Sequence, residues 1–162
     1  MDQIYKGLLH VEKIVRKIVL AITCTLIVFI TVIIFVQVIF RYILHNSLSW
    51  SEELTKYCMV WIVFIGTGYV LGQGAHSNMD IVLTRLPEKL RFWVNKFNSL
   101  LLVFFSYVIL RYGSEFVMLG TKQKSSALKL PMNIVYLAIP IGGALLLFYS
   151  LLLLLKKEDK KL

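Results

Sequence analysis

Long apolar runs separated by short polar segments dominate this sequence. The first run, residues 18–40, contains no charged residue, and as a helix rising about 1.5 Å per residue it would exceed the roughly 30 Å thickness of a bilayer core. Further charge-free runs cover residues 57–75, 97–110 and 130–155. The third is short, but it extends backwards if Lys96 snorkels to the headgroups. The pattern predicts four transmembrane helices at about 18–40, 54–73, 92–112 and 131–155.

Composition supports a membrane protein of the all-α class. The 162 residues are 58% hydrophobic and 17% charged, too few charges to cover so much apolar surface in water. The first run is longer than the apolar part of a signal peptide and lacks a small-residue cleavage site, so we expect it to stay as an anchor. We therefore expect residues 1–162 to form one integral membrane domain.

The distribution of basic residues predicts the orientation. Most of the 18 lysines and arginines lie in the N-terminal segment, the second loop and the C-terminal tail, which four spans place on one side. The positive-inside rule then puts both termini in the cytoplasm. This orientation explains the net charge of +9 better than nucleic-acid binding does.

Two polar segments have alternative interpretations. Residues 2–17 carry apolar side chains at a three-to-four spacing among basic ones, which suits either an amphipathic interfacial helix or an extension of the first span. The third loop, with Gly113, Gly120 and Pro131, predicts a broken or surface-lying stretch on the outer side. That stretch is either a docking element or a simple strap.

The sequence offers no arrangement suited to catalysis, metal binding or cofactor binding. Cys24 and Cys58 lie towards opposite sides of the membrane, and no CxxC motif is present. The three histidines, His10, His45 and His76, fall outside the spans, which disfavours haem ligation and a role as a redox anchor. Carriers of charged solutes usually keep an ionisable residue or a broken helix at mid-membrane depth, and here the spans are charge-free. We expect neither an enzyme nor an independent carrier.

The spans instead contain small residues that permit close helix packing. These are Gly66, Gly68 and Gly72 in the second span, and Gly142 and Gly143 beside Pro140 in the fourth. Gly68 and Gly72 have the GxxxG spacing, and Pro140 is expected to kink its helix. Internal packing and docking against a larger membrane partner both remain open.

The stretch SWSEE opens the second span. Ser49 and Glu52 have the spacing of a capping box, and Trp50 suits the headgroup zone. Either Glu52 or Glu53 can pair with Lys56 one turn later. The capping interpretation assigns no role to Glu53.

Two segments carry a family resemblance. FRYILHNSLSWSEELTKYCMVWIVFIGTGYVLGQGAHSNMDIV, residues 40–82, and SSALKLPMNIVYLAIPIGGALL, residues 125–146, are similar to the small membrane subunit (DctQ/SiaQ type) of tripartite ATP-independent periplasmic (TRAP) transporters. The matching residues include Arg41-Tyr42, Trp50-Ser51-Glu52-Glu53-Leu54, Val60-Trp61, Phe64, Gly66, Pro131, Tyr136, Pro140 and Gly142. The chain departs from the family at Gly72-Gln73-Gly74, where many relatives carry a basic residue.

The resemblance implies a scaffold subunit of a sodium-coupled transporter in the bacterial inner membrane. Its implied partners are a large elevator-type membrane subunit (M type), a periplasmic binding protein (P type) and membrane lipid. The implied cargo is an organic acid of the sialic acid or C4-dicarboxylate kind. Glu53 and Arg41 would then meet charges on a partner. A self-sufficient four-helix exporter is the alternative.

Overall fold

The computed structural model describes residues 2–46, 48–72 and 87–155, with side chains except at 2–9, 72, 88, 89, 91 and 155. This part of the chain is helical, apart from a single bridge between Lys124 and Pro131. Its helices are α1 (Asp2–Tyr42), α2 (Ser49–Gly72), α3 (Glu88–Gly120), α4 (Asn133–Tyr136) and α5 (Ala138–Leu155). The predicted turn around His76 and the basic tail lie outside the described residues.

Four helical segments are long and apolar enough to cross a membrane. They are His10–Tyr42, Ser49–Leu71, Phe92–Gly120 and Asn133–Leu154. The predicted fold class, an all-α membrane protein with four spanning helices, is therefore confirmed.

The N-terminal amphipathic segment is continuous with the first span. α1 runs from Asp2 to Tyr42 without interruption, and Glu12 and Arg16 form a pair along it at 3.8 Å. At about 1.5 Å per residue a helix of 41 residues is about 60 Å long, twice the depth of the hydrocarbon. Residues 2–17 are therefore an extension of the first span rather than a separate interfacial helix.

The third helix is longer than the sequence pattern predicts. α3 continues to Gly120, so Gly113 and Gly120 are helical, and the prediction of a broken segment from residue 113 onwards is wrong. Arg111 and Glu115 carry charge into the helix, but they sit one turn apart on its exposed side and pair at 2.6 Å. The connection between α3 and α4 is therefore only residues 121–132.

α2 and α5 form the centre of the bundle. α1 packs against α2 on one flank, α3 packs against α5 on the other, and α4 lies against the end of α3. Buried apolar residues are few in the described chain: Val19, Ile65, Val135, Ala138, Leu146 and Tyr149. Most large apolar side chains face outward, as expected where lipid rather than water covers the surface.

Glycines set the spacing of the central helices. A Cβ at position 142 would lie 2.7 Å from the carbonyl oxygen of Phe64 in α2, and one at 68 would lie 2.9 Å from Cβ of Leu145 in α5. On the other side, a Cβ at 143 would lie 2.9 Å from the backbone nitrogen of Leu110 in α3. These contacts are closer than any side chain permits, so the backbones of α2, α5 and α3 meet directly.

Two more glycines, which the sequence pattern placed in a loop, also allow close backbone contacts along α3. A Cβ at Gly113 would lie 3.1 Å from the nitrogen of Pro140, and one at Gly120 would lie 2.8 Å from the nitrogen of Asn133. Gly120 thereby fixes the end of α3 against the start of α4.

The fourth span is interrupted at Leu137, between α4 and α5. Pro140 has no amide to donate to the carbonyl of Tyr136, and the break falls beside that carbonyl. The amide of Leu137 donates to the carbonyl of Asn133 at 2.9 Å, and that of Ile141 donates to the carbonyl of Leu137 at 3.3 Å. The break is therefore short, and the helix resumes at once.

Gly142→Ala should destabilise the protein, because its methyl group would meet the backbone of Phe64, which cannot rotate away. We expect a loss of about 1–3 kcal/mol in unfolding free energy, seen as a lower thermal midpoint in detergent micelles. Gly66→Ala is the matched control, since its Cβ would meet only Cγ2 of Thr23 at 3.9 Å. Equal midpoints for the two variants would show that the glycine contact does not set the spacing of α2 and α5.

Candidate interaction site at the loop end of the bundle

Polar side chains connect the start of α2 to the end of α1. Nε2 of Gln37 donates to Oε1 of Glu52 at 3.4 Å, and Nη1 of Arg41 lies 3.7 Å from the same oxygen. Both charged side chains of this pair are about half exposed, so it contributes at most about 1 kcal/mol. Arg41, expected to meet a partner charge, here has a partner within the chain.

The first turn of α2 is closed differently from the predicted capping box. α2 begins at Ser49, and the amide and hydroxyl of Ser51 both donate to the carbonyl of Leu48, at 3.1 and 2.7 Å. Glu52 points at α1 rather than back to the amide of Ser49. The predicted box is therefore not among the contacts of this turn, because tertiary contacts with α1 use the Glu52 carboxylate.

The Glu53 carboxylate accepts three hydrogen bonds from the backbone of a distant loop. Its Oε1 accepts from the amides of Ser126 and Ala127, both at 3.0 Å, and its Oε2 accepts from the amide of Leu128 at 3.1 Å. Three successive amides thus converge on one carboxylate. Charge-assisted bonds of this kind are stronger than bonds between neutral groups. Within the described chain Glu53 therefore has an internal role, and the expectation that it also meets a charge on another protein stays a prediction.

The loop that Glu53 binds, residues 121–132, is also held by its own bonds. The amide of Ser125 donates to the carbonyl of Leu130 at 2.9 Å, and the amide of Met132 donates to that of Gln123 at 3.0 Å. Oγ of Ser125, which is buried, accepts from the amide of Leu130 at 3.2 Å. The loop is therefore a tight, antiparallel turn, fixed at its tip by Glu53. We call this unit the anchored loop.

The anchored loop carries three exposed lysines. Lys122, Lys124 and Lys129 are all exposed, and no ion pair of the described residues includes any of them. Lys129 has a φ of 54°, a left-handed conformation that favours glycine. The loop thus offers cations on a fixed backbone.

A shallow groove runs between α1 and α2. It has a volume of about 520 Å³, and Leu20, Thr23, Cys24, Ile27, Ile62, Val63, Gly66, Thr67, Tyr69 and Val70 line it. A Cβ at Gly66 would meet only Cγ2 of Thr23, at 3.9 Å, so the position has room for a side chain, and Oγ1 of Thr23 is buried without a hydrogen-bond partner among the described residues. The groove is an apolar recess in the middle of the spanning helices.

The remaining predicted residues are scattered. Trp50 and Lys56 are exposed at the start of α2, and no described ion pair includes Lys56. Trp61 is half-buried in the middle of α2, and the surroundings of Gly72 lie outside the described side chains. The structure therefore brings Arg41, Glu52 and Glu53 to one end of the bundle and spreads the others along its helices.

The backbone amides of residues 126–128 were missed by sequence reasoning. Backbone amides are not visible in the residue types of a sequence. The only indication was that the capping interpretation assigned no role to the carboxylate of Glu53. The described residues also contain no group of three or more histidines, cysteines or acids placed to hold a metal ion.

Comparison with known proteins gives a consistent result. Residues 30–158 match the family model described as tripartite ATP-independent periplasmic transporters, DctQ component. The chain is 33% identical over 104 residues to the C4-dicarboxylate TRAP transporter small permease protein DctQ of Rhodobacter capsulatus, over 63% of this chain and 46% of that one. It is 24% identical over 143 residues to the sialic acid TRAP transporter small permease protein SiaQ of Vibrio cholerae, over 85% of this chain and 79% of that one.

A longer relative matches over less of its own length. The sialic acid TRAP transporter permease protein SiaT of Haemophilus influenzae is 30% identical over 89 residues, which cover 55% of this chain and 14% of that one. This chain thus spans less than half the length of each of these two relatives, DctQ of R. capsulatus and SiaT.

The fold defines the class: a multi-pass membrane protein of four spanning helices with a polar, anchored loop at one end. Within that class, the chain belongs to the DctQ component family of TRAP transporters. The resemblance seen in the sequence is therefore confirmed. This family is a transporter membrane component and not an enzyme.

Glu53→Gln should loosen the anchored loop, because an amide has one acceptor oxygen and its NH₂ cannot accept from the remaining backbone amides. We expect hydrogen exchange at residues 126–128 to accelerate roughly tenfold in protein held in nanodiscs. Glu115→Gln removes another helix carboxylate, one that pairs with Arg111, and it should leave these three amides unchanged. Unchanged exchange in Glu53→Gln would show that this carboxylate does not hold the loop.

Proposed function

We propose that the chain is the small scaffold subunit of a TRAP secondary transporter. It would act with a large elevator-type membrane subunit and a periplasmic binding protein in sodium-coupled uptake of an organic acid. The observation that carries the proposal is the combination of family membership with spans that lack a charged residue between 18–40, 57–71, 97–110 and 130–155. Such spans can hold another protein in place but offer nothing to bind and release a charged solute.

The relatives support an organic acid as the cargo without selecting one. One similar protein is named for C4-dicarboxylates and another for sialic acid. The residues that choose the solute would lie on the other subunits, because the charge-free runs of this chain offer no charged group to bind an organic acid.

The anchored loop is proposed to face the periplasm, with both termini in the cytoplasm. Glu52 and Glu53 place the end of α1, the start of α2 and residues 126–128 at the same end of the bundle. The start of α1 and the end of α5 then lie at the opposite end, and most of the lysines and arginines belong to the segments that adjoin that end in the sequence. The positive-inside rule puts that richer end in the cytoplasm, which fits a bacterial inner membrane.

The groove between α1 and α2 is the proposed contact with the large subunit. It lies within the spanning region, it is apolar, and Gly66 allows another helix to approach closely. α1 itself packs mainly against α2 and leaves much of its apolar surface uncovered, as Val32 and Phe35 show. Apolar surface of this kind suits either lipid or a partner helix, and the open glycine favours the helix.

The scaffold role predicts dependence on the large subunit. Proteoliposomes that contain this chain alone should show no solute accumulation under a sodium or proton gradient. Proteoliposomes with the large subunit and binding protein should accumulate a sialic acid or C4-dicarboxylate when sodium is supplied, and omission of this chain should abolish that uptake. Accumulation by this chain alone would establish the self-sufficient exporter and overturn the proposal.

Filling the groove should weaken the assembly. Gly66→Leu would occupy the recess, and we expect its co-purification with the tagged large subunit to fall several-fold. Phe104→Leu is the control, since Phe104 is exposed on the opposite flank, on α3. If both variants co-purify like the unaltered chain and each folds normally, the large subunit binds elsewhere.

A further inference from the structure

The anchored loop carries cations that form no ion pair with the described residues. Its residues 121–132 contain Lys122, Lys124 and Lys129 and no acidic residue. All three side chains are exposed, and their fixed backbone distinguishes them from lysines on a free tail.

The carboxylates at this end of the bundle are already engaged. Glu52 pairs with Arg41, Glu53 accepts from three backbone amides, and Glu115 pairs with Arg111. Every acidic residue between positions 41 and 72 or between 97 and 132 is one of these three. The amides bound to Glu53 do not neutralise its carboxylate, but the three lysines outnumber it, so the loop presents a net positive charge to an external anion.

Lys129 adds a second indication. Its backbone is left-handed, with a φ of 54°, which glycine would adopt without strain. A lysine at this position is less favourable for the loop by itself. A contact between its side chain and another molecule would offset that cost.

We propose that the anchored loop is a cationic docking platform for an acidic face of the soluble binding protein. This inference rests on the proposed function, which supplies such a partner on the periplasmic side. Glu53 acts as a positioning residue, because it holds the backbone from which the lysines project. Anionic lipid is the other source of negative charge, but lipid headgroups adapt to any arrangement of lysines and need no anchored backbone. A folded acidic surface, by contrast, gains from cations held at fixed spacing.

The test measures binding rather than uptake. The chain and the large subunit are placed together in nanodiscs of phosphatidylcholine, the probe is the purified periplasmic binding protein of the proposed transporter, and binding is followed by biolayer interferometry. Reversal of all three lysines to glutamate should weaken binding on the order of tenfold at low salt and mainly slow association. The loss should shrink as salt is raised. Lys17→Glu is the control and should bind like the unaltered chain, because Lys17 is exposed in the N-terminal half of α1, away from the anchored loop.

Two further variants separate charge from loop structure. Lys129→Gly removes one cation while relieving backbone strain, so the loop should stay ordered by hydrogen exchange and yet bind more weakly. Glu53→Gln keeps every lysine but frees the backbone, so binding should weaken without loss of positive charge. Full binding by the triple glutamate variant or by Lys129→Gly, with normal folding, would overturn the platform.

The lipid alternative and the proposed function have their own outcomes. If the lysines bind lipid instead, the triple glutamate variant will bind the probe like the unaltered chain, and protection of the loop from hydrogen exchange will depend on added phosphatidylglycerol. This result also overturns the platform. Failure of the large subunit to co-purify would instead contradict the proposed function. In that case nanodiscs containing this chain alone still test the platform. Binding of the probe supports it, and no binding overturns it.

Discussion

The carboxylate of Glu53 joins parts of the chain that are far apart in sequence. Its three bonds to the amides of residues 126–128 fix the loop between α3 and α4 to the first turn of α2. A tight turn at the surface of a membrane leaves amides that no helix can satisfy, and unpaired backbone donors are costly away from water. One carboxylate supplies acceptors for three of them. The position of the loop, and of the lysines on it, therefore depends on this side chain.

Glycine contacts perform the corresponding task inside the bundle. Lipid is as apolar as leucine, so burial of apolar side chains gives little drive for spanning helices to associate. Gly142 against Phe64 and Gly143 against Leu110 instead allow direct backbone approach, which maximises dispersion contacts. The result is a central helix, α5, held rigidly between α2 and α3, with α1 on the outer flank of α2.

This division suits a subunit that braces another protein. The close-packed part, α2, α3 and α5, is held together by its own glycines, while α1 and the groove beside it remain available at the side. The polar end supplies a second, separate surface facing water. A lateral apolar surface and a polar end surface would let the proposed membrane partner and the proposed soluble partner bind without competing for the same residues.

The sequence by itself determined the number of spanning helices, the long charge-free runs within them and the family, because each follows from the order of residue types along the chain. It also singled out Glu53 as unexplained and Gly68, Gly142 and Gly143 as packing residues. It placed the end of α3 too early, since Arg111, Gly113 and Glu115 resemble a loop when helical pairing is not considered. Only the tertiary structure decided that Glu52 turns to α1, that Glu53 binds residues 126–128 and that Gly113 and Gly120 are contact points. These outcomes depend on backbone groups and neighbouring helices distant in sequence, and such groups leave no pattern in the residues themselves.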